Sequence, residues 1–192
     1  MKPFARGMSP GRWYEKQTRG RSHVHAEAFP AADCSTCSTG GSMPGWAQRA
    51  ADIVVNSLDD PGDPDDGLTT LREAIDEAHD VGGGSITFDP SLAGGTIRPL
   101  SQLPIINADN GITIDGDLDN DGVPDIELDG SLAGKAIGLS VHSANNTIKG
   151  LAINRFRYPG VKLFGKSATD NLIEHCYIGT DLSGSIALPN EQ

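Results

Sequence analysis

The chain has 192 residues, with 15 Lys and Arg against 26 Asp and Glu. Residues 1–50 hold seven basic and three acidic residues, for a net charge of +4, whereas the remaining 142 residues hold eight basic and 23 acidic residues, for a net charge of −15. A body this acidic repels nucleic acid and anionic lipid, which argues against both as partners. No apolar run approaches the roughly 20 residues of a membrane span, so membrane insertion is not expected.

Residues 1–50 lack hydrophobic periodicity and carry Gly, Ser, Pro and Arg throughout. This composition predicts a disordered tail, or a translation start assigned too far upstream. Cys34 and Cys37 form an isolated Cys-x-x-Cys without the further ligands of a zinc site, and no secretory signal is visible. The ordered domain is expected at residues 51–192, beginning with the strand "DIVVNS".

One helix is predicted in "TTLREAIDEAHD". Thr70 and Glu73 have the spacing of a capping box, which satisfies free N–H groups at a helix start. Apolar residues follow at the i, i+3, i+4, i+7 spacing of a single buried stripe. These residues are Leu71, Ala74, Ile75 and Ala78. The glycines at 82–84 are expected to end the helix.

From Ser85 onward, short apolar runs alternate with Gly, Asn and Asp clusters, which is typical of an all-β chain. The segment "NTIKGLAIN" (146–154) aligns with "NLIEHCYIG" (171–179) at an offset of 25, so that Asn146 meets Asn171. Upstream, Ile137 and Leu139 fall over Val161 and Leu163 at an offset of 24.

A repeat of 24–25 residues made of three short strands predicts a solenoid, in which each coil stacks on the next and like residues lie above like. The interior is expected to hold ladders of Ile, Leu and Val, and Asn146 and Asn171 are expected to form an amide ladder at a bend. The predicted helix would cover the N-terminal end of the stack, because open strand edges invite aggregation.

Two parts of the chain resemble a known family. "GLTTLREAI" (67–75) resembles the N-terminal Cys-Ser-Leu-Arg-Glu-Ala motif of bacterial right-handed parallel β-helix repeat proteins, and "NNTIKGLAINRF" and "YIGTDLSGSIALPN" resemble their coil repeats. The likeness covers about residues 52–192. It implies an all-β fold of the pectate-lyase-like type, a right-handed parallel β-helix with an N-terminal capping α-helix, and an extracellular or cell-surface location.

The chain departs from the family at identifiable positions. Thr69 stands where the motif has cysteine, so a disulfide made there is not expected, and Pro189 stands where glycine is expected. Residues 85–192 allow roughly four or five coils, and Gln192 falls in what resembles a turn into another coil. The sequence is therefore expected to be the N-terminal part of a longer protein or a truncated gene product.

The stretch "DGDLDNDGVPD" (115–125) has the alternating aspartates of a calcium loop. Its match to positions 1, 3, 5, 6 and 9 of an EF-hand loop is made by Asp117, Asp119, Asp121, Gly122 and Asp125. Position 12 is Leu128 rather than glutamate, and the flanking "ITI" and "IEL" predict strands, so an EF-hand is excluded.

Calcium binding remains the leading interpretation of this loop, with Asp117, Asp119, Asp121 and Asp125 as ligands and Glu127 or Asp129 completing the shell. Five aspartates packed into one turn repel one another without a counter-ion. The alternative is a solvated acidic turn. A second acidic loop, residues 59–66, contains two prolines and lacks the alternating spacing, which makes it the weaker candidate.

Basic residues are concentrated between 135 and 166. Arg155, Arg157 and Lys162 are candidates for binding an acidic glycan. The alternative is a solvated outer face, on which Lys149 meets Glu174 one coil away in a surface ion pair.

No pair of carboxyl groups, and no carboxyl–base pair, is found at the spacing of adjacent coils, so no catalytic residue is assigned. The leading hypothesis is an extracellular or cell-surface β-helix module with a structural, adhesive or carbohydrate-binding role, stabilised by Ca²⁺, whose partner is a polysaccharide or another cell-surface component. The alternative is the N-terminal part of a polysaccharide lyase or glycoside hydrolase that acts on acidic polysaccharide.

Overall fold

The structure is a computed structural model that describes residues 51–60 and 66–191. The tail predicted for residues 1–50, with Cys34 and Cys37, lies outside the described residues. Within the described residues the chain is mostly strand, and its strands form parallel sheets. The β-rich class predicted from the turn-separated apolar runs is confirmed.

The regular elements are short, as the close spacing of Gly, Asn and Asp requires. The described ranges contain one α-helix, α1, which spans Leu71–Asp80, and two 3-10 turns, which span Pro90–Leu92 and Gly130–Leu132. The strands are β1 (Ala51–Val55), β2 (Gly84–Phe88), β3 (Thr96–Ile97), β4 (Ile112–Asp115), β5 (Ile126–Asp129), β6 (Leu139–Val141), β7 (Thr147–Lys149), β8 (Leu151–Asn154), β9 (Val161–Leu163), β10 (Leu172–Glu174) and β11 (Tyr177–Ile178).

In the part of the chain that the structure describes, the strands form three sheets, and all pairs between these strands are parallel. Sheet 1 has the order β1-β2-β4-β7-β10, sheet 2 has the order β11-β8-β5-β3, and sheet 3 pairs β6 with β9. From β4 to β11, consecutive strands enter sheets 1, 2 and 3 in rotation. Within this stretch each sheet receives every third strand.

Like residues lie above like in the core. Side chains of a strand alternate between its two faces, and in sheets 1 and 2 one of these faces points into the core. In sheet 1 the buried position is isoleucine in five successive strands: Ile53, Ile86, Ile114, Ile148 and Ile173. In sheet 2 the corresponding buried ladder is Ile97, Leu128 and Ile153, and Ile178 continues it in the edge strand β11, where its side chain is half exposed. The predicted aliphatic ladders are confirmed.

The spacing between stacked strands is less regular than the sequence predicts. The offset of 25 is confirmed, because Ile148 pairs with Ile173. The offset of 24 upstream is wrong, since Leu139 pairs with Val161 at an offset of 22. Eight residues (164–171) separate β9 from β10 but only five (142–146) separate β6 from β7, so the insertion lies after β9. Elsewhere the offset reaches 34, between Thr113 and Thr147.

The predicted amide ladder is confirmed at the bend before β7. Asn146 is 1% exposed and its Oδ1 accepts a hydrogen bond of 2.8 Å from the Ile112 N–H. Its Nδ2 donates to Asn171 Oδ1 at 2.8 Å, and its main-chain N–H donates to the same oxygen at 2.9 Å. One buried amide therefore links the starts of three successive strands of sheet 1: β4, β7 and β10.

Helix α1 begins and packs as its sequence predicts. Thr70 is the N-cap, with Oγ1 accepting from the Glu73 N–H, while the Glu73 carboxylate accepts from the Thr70 N–H at 2.8 Å. The predicted apolar stripe is buried against β1 and β2. The helix ends at Asp80, with Val81 as C-cap, and the last of the three glycines, Gly84, already belongs to β2.

Replacing Thr70 with alanine is expected to lower the free energy of unfolding by about 1–2 kcal/mol, because the cap of a buried helix start is lost. The matched control is Thr69→Ala, since the Thr69 hydroxyl makes no hydrogen bond within the described residues. Urea denaturation of the two variants measures the difference. An equal loss in both would assign the effect to lost side-chain volume rather than to capping.

Candidate functional site

The acidic loop connects β4 in sheet 1 with β5 in sheet 2. Its aspartates fold it locally, because three of the carboxylates accept from the main-chain N–H two residues later. Asp115 Oδ1 accepts from Asp117, Asp119 Oδ1 accepts from Asp121, and Asp121 Oδ1 accepts from Val123, at 3.2, 3.1 and 2.8 Å. These turns explain why aspartate recurs at alternate positions.

Three of the five predicted metal ligands come together. One carboxylate oxygen from each of Asp117, Asp119 and Asp125 lies within 4.8 Å of the other two. Asp119 is exposed, Asp125 is half-buried, and Asp117 is 4% exposed. Asp117 Oδ2 accepts a hydrogen bond of 3.2 Å from the Gly122 N–H, whereas its buried Oδ1 has no partner among the described residues.

This arrangement is costly without a cation. A buried carboxylate oxygen with no hydrogen bond loses its hydration without compensation, and three adjacent carboxylates repel one another. Calcium binds oxygen ligands at about 2.3–2.6 Å, so oxygens on opposite sides of one ion are separated by about 5 Å. The spacing of the three oxygens fits a common hard cation.

The charge of Asp115, next to the cluster, is already balanced. Its Oδ2 lies 2.9 Å from the Lys149 ammonium, and this hydrogen bond raises the pKa of Lys149. The ion pair expected between Lys149 and Glu174 is therefore wrong: the two residues are neighbours in register, but the ammonium binds Asp115. On the other side, His175 Nδ1 lies 3.9 Å from Asp117 Oδ2.

The other two predicted ligands lie outside the cluster. Asp121 is exposed and its Oδ1 is used in the Val123 turn. Glu127 belongs to β5 and accepts hydrogen bonds from Thr96 Oγ1 at 2.7 Å and from Asn154 Nδ2 at 2.8 Å. Its position in the strand directs it toward the neighbouring strands of sheet 2 and away from the loop.

Asp129, considered together with Glu127 as a further ligand, is used in ion pairs instead. Its Oδ2 lies 2.7 Å from Arg155 Nη1 and 3.2 Å from Arg98 Nε. Burial opposes its ionisation, but hydrogen bonds from Ser131 and the charge of Arg155 outweigh burial, so the pKa of Asp129 lies below its ordinary value. In the second acidic loop, Asp60 binds Arg72 at 2.7 Å, and residues 61–65 lie outside the described part.

The three candidate glycan-binding residues lie on different parts of the fold. Arg155 directly follows β8 of sheet 2 and is bound to Asp129. Arg157 lies exposed in the connection between β8 and β9, and Lys162 lies in β9 of sheet 3. Lys162 forms no ion pair with any residue that the structure describes.

A groove on sheet 3, beside Lys162, has no counterpart in the sequence prediction. It has a volume of about 290 Å³ and is lined by Gln102, Ile105, Ser140, His142, Lys162 and Phe164. The alternation in "SVH" (140–142) and "KLF" (162–164), which run one residue past β6 and β9, is a signal for such a face, because residues two apart on an extended chain point the same way. The incorrect register placed Ser140 beside Phe164 instead of Lys162, which concealed this grouping.

Comparison with known proteins does not assign the chain to a family. No protein-family model, curated protein or solved structure matches the chain. Across the ranges 51–60 and 66–191, helices long and apolar enough to cross a membrane are absent.

Proposed function

We propose that the chain is an extracellular or cell-surface module with a structural or adhesive role, built as a right-handed parallel β-helix and stabilised by Ca²⁺. The rotation of consecutive strands through three parallel sheets supports the β-helix, as do the stacked isoleucines of sheet 1. So does the resemblance of "GLTTLREAI" to the N-terminal motif of bacterial β-helix repeat proteins.

The observation that carries the calcium proposal is the convergence of Asp117, Asp119 and Asp125, together with a buried oxygen of Asp117 that has no hydrogen-bond partner among the described residues. A bound Ca²⁺ compensates both the repulsion among the carboxylates and the lost hydration of that oxygen. Because the loop joins sheet 1 to sheet 2, a cation there fixes the corner between two sheets. The role of the metal is therefore structural.

The composition of the site favours an external location. Three carboxylates, one of them exposed, are fewer than the six to eight oxygens that Ca²⁺ takes, and water must supply the rest. Calcium sites of extracellular modules bind with a Kd of about 10⁻⁴–10⁻³ M. A site this open is filled where Ca²⁺ is millimolar.

Calcium is expected to raise the melting temperature of the full chain. At ten times the Kd, binding to the folded state adds about 1.4 kcal/mol, which corresponds to about 3–6 °C for a domain of this size. The test is a thermal melt followed by circular dichroism, with Ca²⁺ and with chelator, and with Mg²⁺ at the same ionic strength as the control for screening.

Two matched variants locate the site. Asp119→Asn and Asp121→Asn each remove one charge and keep an oxygen for the local turn, but only Asp119 belongs to the cluster. The calcium shift is expected to fall by more than half in Asp119→Asn and to persist in Asp121→Asn. Equal effects of the two substitutions, or an equal shift in melting temperature with Mg²⁺, would mean that the loop is a solvated acidic turn and not a calcium site.

A further inference from the structure

The core is closed at the end of the stack where each sheet begins. The inward side chains of the first strands are Ile53 in β1, Ile97 in β3 and Leu139 in β6, and none of them is more than 5% exposed. Helix α1 packs against β1 and β2 at this end. An apolar stack that is covered in this way presents no free core surface to another molecule.

The last strand of each sheet leaves the same inward position exposed. Leu163 of β9 is 49% exposed, whereas its register partner Val141 is buried. Ile178 of β11 is 50% exposed, whereas its partner Ile153 is buried. Ile173 of β10 is half-buried, and a cavity of about 530 Å³ adjoins β9 and β11. Leu163, Ile173 and Ile178 therefore mark an open end, at which no described residue completes the core.

The main chain is unpaired at the open end as well. Along a parallel strand, successive N–H groups point alternately to the neighbour on one side and to the neighbour on the other. Phe164, Leu172 and Gly179, which each adjoin one of the three open-end residues, donate to carbonyls on the side of the preceding strand. The N–H groups of the open-end residues therefore face outward, and such an edge is a template for pairing with another strand.

The open end carries little of the negative charge of the protein. Residues 156–191, which form this end, hold three basic and four acidic residues, for a net charge of −1, whereas residues 51–155 have a net charge of −14. Two copies repel each other wherever residues 51–155 meet. The repulsion is weakest where two open ends meet, because charges more than about 8 Å apart are largely screened at physiological ionic strength.

The open end is also large enough for a stable contact between two chains. One coil spans 25 residues, from Thr147 to its register partner Leu172. A standard protein interface contains about 20–30 residues on each side. The end surface of a single coil is therefore of the size that a specific dimer requires.

We propose that a second copy of this chain covers the open end and forms a dimer with two-fold symmetry. A head-to-tail contact requires an exposed core at both ends, but the end at β1 is closed. The two copies therefore meet through the same surface, and assembly stops at two. Because the two-fold rotation reverses the direction of the strands, the edges of β9, β10 and β11 meet the edges of the partner in antiparallel orientation.

Analytical ultracentrifugation of the full chain in chelator tests the proposal. A dimer is expected to predominate at a chain concentration of about 100 μM, since interfaces of standard size have a Kd in the micromolar range or below. Raising the salt from about 0.05 M to about 0.5 M is expected to lower the Kd about threefold or more, because salt screens the repulsion between the two acidic bodies.

Matched lysine substitutions locate the contact. Leu163→Lys and Ile178→Lys are each expected to raise the Kd about tenfold or more, because each buries a charge in the apolar contact. Leu132→Lys is the control, since Leu132 is 56% exposed in the 3-10 turn before β6, outside the open end, and its Kd should not change. Amide hydrogen exchange of the open-end residues is expected to slow as the chain concentration rises.

A chain that stays monomeric at about 200 μM would overturn the proposal and would mean that a different polypeptide covers the open end. A Kd that is unchanged in both lysine variants would also overturn it, once their melting temperatures match that of the parent chain. Species larger than a dimer that grow with concentration would indicate a head-to-tail contact instead. The calcium proposal is tested separately by the melting temperature of Asp119→Asn, so either proposal can fail without the other.

Discussion

Replacing Asn146 with alanine is expected to lower the free energy of unfolding by about 2–4 kcal/mol. The substitution leaves the buried N–H of Ile112 without its acceptor, and a buried unsatisfied group costs about 1–3 kcal/mol. It also removes the donor to Asn171 Oδ1. The Ser143 carbonyl keeps a partner, because Asn171 Nδ2 donates to it at 3.1 Å, so the damage centres on Ile112. Urea denaturation in chelator measures the loss.

Asn145→Gly is the matched control for this prediction. Asn145 is exposed and has a φ of 61°, a conformation that glycine adopts without strain, so its replacement is expected to be nearly neutral. Asn146→Asp separates volume from hydrogen bonding: it keeps the acceptor for Ile112 but loses four donor contacts and adds a charge. A loss below about 1 kcal/mol in both Asn146 variants would contradict a stabilising amide ladder.

Features set by side-chain periodicity were predictable from sequence. The 3.6-residue period of Leu71, Ala74, Ile75 and Ala78 defines α1, and its cap follows from Thr70. The two-residue period of the strands identifies the buried isoleucines. The register at Asn146 was predictable because a buried amide that bonds its counterpart must recur at the same place in each repeat.

The lengths of the turns were not predictable in the same way. A turn residue has no period, so nothing in the sequence places the extra residues of the repeat before or after β9. From the sequence, Ile137 was therefore paired with Val161 and Leu139 with Leu163, a register that is wrong by two residues. A shift of two residues leaves each side chain on the same face of sheet 3 but changes which residues of β6 and β9 are neighbours, so the groove could not be anticipated.

In the acidic loop, too, some features were predictable from the sequence and others were not. Alternating aspartates predict a folded acidic turn, and Asp117, Asp119 and Asp125 do converge. The EF-hand template also selects Asp121, but in this loop the Asp121 carboxylate is used locally in the Val123 turn. Glu127 is not a ligand because it belongs to β5. The alternation of side chains along that strand directs its carboxylate toward Asn154 rather than toward the loop.

Replacing Gly150 with alanine is expected to be the most damaging change near this loop. Gly150 lies between β7 and β8 with a φ of +67°, and a Cβ there would lie against the Asp117 main-chain nitrogen and 2.5 Å from Asp117 Cβ. The backbone conformation alone costs about 1–2 kcal/mol for a non-glycine residue. Displacing the loop adds about 1–3 kcal/mol of overpacking, which gives an expected loss of about 2–5 kcal/mol in urea denaturation.

Gly134→Ala separates the cost of the backbone conformation from the cost of overpacking. Gly134 has a φ of +66°, almost identical to that of Gly150, but a Cβ there meets nothing within 4 Å. It is expected to lose only the conformational 1–2 kcal/mol or so and to keep the full calcium shift in melting temperature. Gly150→Ala should lose more stability and most of that shift, because the atoms it displaces belong to Asp117. Equal losses in the two variants would mean that the close approach of Gly150 to Asp117 does not position the cluster.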